Sequence, residues 1–129
     1  LREVVRTLGA RPGRVIDSSP MYGRAEEAVG DLVAESGMPE RFFYATKVWT
    51  TGRREGIAQM ETSFRRMRVQ RMDLMQIHNL VDWRTHAATL ADWKAAGRVR
   101  YVGVTHYHAG AHAELERVVS GPVSYTHLT

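Results

Sequence analysis

Apolar residues along the chain recur in two alternating rhythms. Short runs rich in β-branched and aromatic residues stand at 14–18, 42–48, 72–78 and 100–105, a pattern that predicts strands. Between and around them the spacing becomes helical. Leu1, Val4, Val5 and Leu8 fall on one face, as do Ala28, Val29, Leu32 and Val33, then Ile57, Met60, Phe64 and Met67. Leu90 and Trp93 ahead of Gly97 mark a further helix, and Ala111, Leu115, Val118 and Val119 a last one. Strands alternating with helices in this way predict βαβ units and a parallel sheet, with right-handed crossovers.

Two parallel architectures fit such a rhythm, the open doubly wound sheet and the closed (β/α)8 barrel. Neither GxGxxG nor GxxxxGK[ST] occurs, so the phosphate loops that open many doubly wound sheets are missing from the sequence. Each predicted strand instead ends on a polar or ionisable residue: Asp17, Lys47, His78, and then Thr105 with His106. The C-terminal rim is where a barrel builds its site. Lys47 follows Asp17 by 30 residues and His78 follows Lys47 by 31, which places the three on consecutive units of one rim. Parity agrees, because Asp17 shares a face with Val15, Lys47 with Phe43 and Ala45, and His78 with Leu74 and Gln76. The expected fold is therefore part of a (β/α)8 barrel, about four βα units with parallel strands.

Composition narrows the function classes. The 129 residues carry 18 basic and 14 acidic side chains, a net charge of +4, and no cysteine. Without cysteine there is no disulfide framework, thiolate metal site or cysteine nucleophile, and the cytoplasm is the expected compartment. No apolar run is long enough to span a bilayer. The basic cluster Arg65, Arg66, Arg68 and Arg71 reads as the solvated face of the third helix, and no aromatic-interleaved basic motif supports nucleic-acid binding. The chain opens at Leu1 already inside a helical pattern, and after Gly121-Pro122 the run VSYTHL is similar to the translation of a transposon-end sequencing adapter. The expectation is a partial barrel over residues 1–122 and a non-native tail over 123–129, the piece being inactive by itself and prone to associate through open sheet edges.

The rim residues suggest a chemistry. A phenol is a weak acid, with a pKa of about 10, and a neighbouring ammonium stabilises its anion. Tyr22 lies five residues beyond Asp17, Lys47 supplies an ammonium, Asp17 keeps that ammonium charged, and His78 can orient a carbonyl oxygen. Such a set suits a site where oxygen gains negative charge and a proton, as when hydride adds to a carbonyl. A rival reading starts from His106-x-His108 with His112, since paired histidines after a barrel strand begin the zinc site of some hydrolases. Lys47 on the same rim opposes a cation there. Another rival is a non-catalytic cofactor-sensing or vestigial module.

Four ordered segments resemble the aldo-keto reductases. VIDSSPMYGRAEEAVG is similar to the family's Asp-and-Tyr signature, YATKVW to its lysine strand, MDLMQIHN to its histidine strand, and GRVRYVGVTHY to its Gly-Arg/Lys-x-Arg-x-x-Gly-x-Ser-Asn segment. The resemblance implies Tyr22 as general acid, Lys47 and Asp17 as its tuners and His78 as the carbonyl-orienting group. It also implies NADPH as hydride donor, a small-molecule aldehyde or ketone as substrate, cofactor contacts from Asp17, Thr105 and His106, and substrate contacts from Tyr22, Trp49 and His78. Thr105-His106 departs from the family's Ser-Asn, so the grip on the nicotinamide carboxamide differs here. No metal is implied.

Overall fold

The computed structural model describes residues 1–120; the expected non-native tail at 123–129 lies outside the described residues. Four parallel strands form one sheet in the order β1-β2-β3-β4, with β1 Val15–Asp17, β2 Phe43–Val48, β3 Met72–His78 and β4 Val99–Thr105. Sequence neighbours are sheet neighbours, as in a segment of a (β/α)8 barrel. The register sets Asp17 beside Ala45, Lys47 beside Gln76 and His78 beside Thr105. Every ionisable rim residue of the sequence reading thus comes to one end of the sheet.

The strands keep close to their predicted bounds, with two informative differences. β1 has three residues rather than the expected five, and Val15 is 54% exposed. Among the described residues it pairs on one side alone, with β2, so little holds its ends extended. β4 begins at Val99, earlier than predicted, because that residue pairs with Met72.

Among the described residues five α-helices accompany the sheet: α1 Arg2–Gly9, α2 Ala25–Ser36, α3 Arg53–Met67, α4 Trp83–Ala95 and α5 His112–Ser120. The core lies between the sheet and α2, α3 and α4. Met60 and Met67 of α3 and Leu90 of α4 are fully buried there with Val48, Met72, Met75, Ile77 and Val99 of the strands. Phe64 meets Trp93 edge-on, ring centres 5.7 Å apart, and Arg98 covers the Trp93 ring at 3.8 Å. Burying such side chains is the main force that fixes helices on the sheet.

The outer helices are less covered than their patterns predict. In α1 Val5 is buried, but Leu1 and Val4 are 79% and 62% exposed. α5 buries none of its residues. The basic cluster also departs from a purely solvated face. Arg66 reaches Glu26 and Glu27 of α2, at 3.7 and 3.5 Å, and Arg68 pairs with Asp31. These arginines tie α3 to α2, while Arg65 and Arg71 stay exposed.

On the opposite face of the sheet, Phe43 and Tyr101 stack with ring centres 6.1 Å apart. Leu74 lies half-buried in the strand between theirs. This is the face that ends in Lys47, His78 and Thr105.

Candidate active site

β2 brings Lys47 to the rim, and packing buries it to 5% exposure. A buried ammonium needs partners. Its Nζ donates to Asp17 Oδ2 at 2.7 Å and to the Ser18 carbonyl at 2.8 Å, so the end of β1 supplies both acceptors. The Asp17 side chain is 49% exposed, and its other oxygen accepts from Gln76 Nε2 at 3.1 Å. Strand parity could have singled out Gln76, which stands on the His78 face of β3; the Ser18 carbonyl leaves no trace in side-chain patterns.

Tyr22 sits in the turn between β1 and α2. Its N–H donates to the Ser19 carbonyl at 3.0 Å, and its own carbonyl accepts from Ala25 at 3.1 Å. The Lys47 ammonium stands over the Tyr22 ring, 5.4 Å from its centre. The cation therefore faces the ring while its hydrogen bonds go to Asp17 and Ser18. Tyr22 is 50% exposed, open to a ligand on its other side.

Tyr22, Lys47, Trp49, His78, Thr105 and His106 line a single open cleft of about 580 Å³. The structure thus unites five strand-end or turn residues with Trp49, and Asp17 stands behind them through Lys47. Met21, Asn79 and Tyr107 complete the lining; the sequence reading gave them no role. Trp49 meets His78 edge-on at 6.4 Å. Its backbone is clamped by Gln59 of α3, which accepts from the Trp49 N–H at 2.6 Å and donates to its carbonyl at 3.2 Å. Asp82, ahead of α4, accepts from Gly52 at 2.8 Å in the same loop.

Burial pushes the His78 imidazole below its ordinary range, and the nearby Lys47 ammonium adds to the effect. A neutral ring can donate one hydrogen bond and accept another. Its Nδ1 is buried without a partner, as is the Thr105 hydroxyl. The shift has a sign that can be measured. An unfolded imidazole titrates near about 6.5, so as pH falls through that value the unfolded chain takes up the proton first. Stability present above it is lost as pH falls towards the lower folded value. Thermal unfolding between neutral and mildly acid pH should show a smaller loss in His78→Gln than in the wild type; equal losses would contradict a His78 imidazole held below its ordinary range.

The rival histidines do not converge. His106 Nδ1 accepts from the His108 N–H and His108 Nδ1 from the Gly110 N–H, both at 3.0 Å. Among the described residues no three histidine, aspartate or glutamate side chains form a group that could hold a metal. The His106 ring stacks on Tyr107 instead.

A parallel βα segment with a tyrosine, a lysine–aspartate ion pair and a histidine gathered at the strand C-termini has the layout of part of a (β/α)8 barrel. Comparison with known proteins places it more closely. The chain belongs to the aldo/keto reductase family, whose model matches residues 1–126. It is 29% identical over 108 residues to the aldo-keto reductase YhdN of Bacillus subtilis (strain 168), covering 72% of this chain and 33% of that protein. To the methylglyoxal reductase YeaE of Escherichia coli (strain K12) it is 30% identical over 113 residues, covering 83% and 39%. Among solved structures, an aldo/keto reductase from Klebsiella pneumoniae in complex with NADP and acetate superposes with a TM-score of 0.72 at 25% identity, over 84% of this chain and 40% of that one. The aldo-keto reductase MGS-M4 from a deep-sea metagenome gives 0.69 at 25%, over 94% and 46%. The chain therefore spans between a third and a half of the length of these relatives.

Proposed function

We propose that this chain carries the acid–base half of an NADPH-dependent reductase of aldehydes or ketones. The observation that carries the reading is the buried Lys47 ammonium, paired with Asp17, at a cleft whose walls include Tyr22 and His78. When bound, the nicotinamide supplies hydride to the carbonyl carbon. Tyr22 Oη gives its proton to the carbonyl oxygen as that oxygen gains charge. His78, held neutral, donates a hydrogen bond that orients the same oxygen. Lys47 places positive charge beside the phenol and favours its anion after the proton leaves. Asp17 offsets the cost of burying that charge. Trp49 packs against the substrate.

The lining suits a nicotinamide ring. Thr105 offers a buried hydroxyl without a partner, and His106 a ring nitrogen beyond the Nδ1 already engaged, two polar groups for a carboxamide beside the aromatic rings of Tyr22 and Trp49. Turnover belongs to the complete barrel, since four strands wall only one side of the cleft. The test is NADPH oxidation by the full-length protein containing this chain, with methylglyoxal, the substrate in the name of the E. coli relative, as probe carbonyl. Oxidation that depends on the carbonyl is expected. Oxidation that ignores it, or none at saturating cofactor, would contradict the proposal.

A further inference from the structure

The most deeply buried carboxylate of the described chain lies outside the cleft. Glu26, in the first turn of α2, is 1% exposed, and its Oε1 accepts a hydrogen bond of 2.7 Å from the hydroxyl of Thr46, which is fully buried. The second oxygen has no hydrogen bond and faces Arg66 Nη1 at 3.7 Å. Burying a carboxylate is costly unless it is well partnered. An apolar residue at position 26 would fill the same space without that cost, so core packing alone does not account for Glu26.

Its place in the chain gives it a use. Thr46 immediately precedes Lys47, and side chains alternate along β2, so the two point to opposite faces of one strand. From the cleft face, Lys47 holds Asp17 and the Ser18 carbonyl, where β1 ends. From the helix face, Thr46 holds Glu26, where α2 begins. The turn between these anchors carries Tyr22, and local backbone bonds add only short spans: Tyr22 to Ser19, Ala25 to Tyr22 and Ala28 to Arg24, at 3.0 to 3.1 Å. Successive residues of β2 therefore grip both ends of the Tyr22 turn.

We infer that Glu26, through Thr46, is a positioning residue that pins the Tyr22 turn to the strand bearing Lys47 and so sets the phenol's place in the cleft. The inference rests on the reading of Tyr22 as proton donor. Thr46→Val removes the hydroxyl at nearly constant shape, and Thr46→Ser restores it. Hydrogen exchange on the full chain, resolved by peptide, is the first readout. In Thr46→Val, amides of residues 19–28 should exchange about tenfold faster, the equivalent of one lost hydrogen bond to a charged group. Residues 53–67 should be unchanged, and Thr46→Ser should match the wild type.

The second readout is turnover in the full-length protein. Thr46→Val should lower kcat for carbonyl reduction about tenfold, as misplacement of a reacting group does, with KM for NADPH unaltered. Uniform acceleration across all peptides, no acceleration, or local acceleration with an unaltered kcat would each overturn the inference. Local acceleration in a protein that reduces no carbonyl even as wild type would keep the pin and remove the functional reading. Should Thr46→Val fail to fold because it strands a buried carboxylate, the pair Glu26→Met with Thr46→Val removes both partners and poses the same test.

Discussion

Tyr22→Phe should lower carbonyl turnover by about 10² to 10⁴-fold, the usual contribution of a positioned general acid, while NADPH affinity stays as it is. The substitution deletes a single oxygen. Tyr22 is half exposed, its backbone bonds to Ser19 and Ala25 do not involve the ring, and the ring remains for the Lys47 ammonium to face. The fold therefore has no reason to respond, and thermal unfolding of the variant should match the wild type. A loss confined to kcat, measured with cofactor saturating, would identify the hydroxyl as the source of the proton. Undiminished turnover would assign that role to another group, and His78, which lines the same cleft, would be next to examine.

The second large effect is on stability. Gly30→Ala should destabilise the chain by about 3 kcal/mol, at the upper end of ordinary overpacking, and lower its unfolding temperature by roughly 10 °C. Gly30 lies within α2 and is buried against α3; a Cβ there would collide with the Arg66 carbonyl oxygen and stand 3.2 Å from the Met67 carbonyl carbon. Both neighbours are backbone and cannot turn aside, so the two helices would have to separate. The sign makes the test decisive. In an uncrowded helix the same change is stabilising by about 1 kcal/mol through helix propensity. A more stable Gly30→Ala variant, read by chemical denaturation, would mean that α2 and α3 do not approach as the structure shows.

These two residues mark what was legible in the sequence and what was not. β3 falls on its predicted residues, 72–78, because it is an inner strand with partners on both sides. The rim was legible too, since strand ends 30 and 31 residues apart must lie side by side if the strands are parallel neighbours. Polar groups turned inward were not. Glu26 and His86 look like ordinary polar positions on helices, yet both are buried, Glu26 on Thr46 and His86 with Nε2 2.6 Å from the Thr50 carbonyl and its ring against Gly56. Hydrophobic periodicity records which face is apolar and is blind to a polar side chain whose partner comes from a distant element. Arg66 escaped the reading for the same reason, its partners lying on another helix. In α1 and α5 the apolar stripes are present, but the described structure brings little against them.

Hydride transfer to a carbonyl is tested most directly by isotope. NADPH carrying deuterium at the transferable position of the nicotinamide ring is mixed with a small aldehyde and the full-length protein containing this chain, and the product alcohol is analysed by mass spectrometry and NMR. With Tyr22, Lys47 and His78 acting as proposed, each alcohol formed should carry one deuterium on the former carbonyl carbon and a solvent-exchangeable proton on oxygen. Cofactor oxidation that leaves the product without deuterium at that carbon would contradict it.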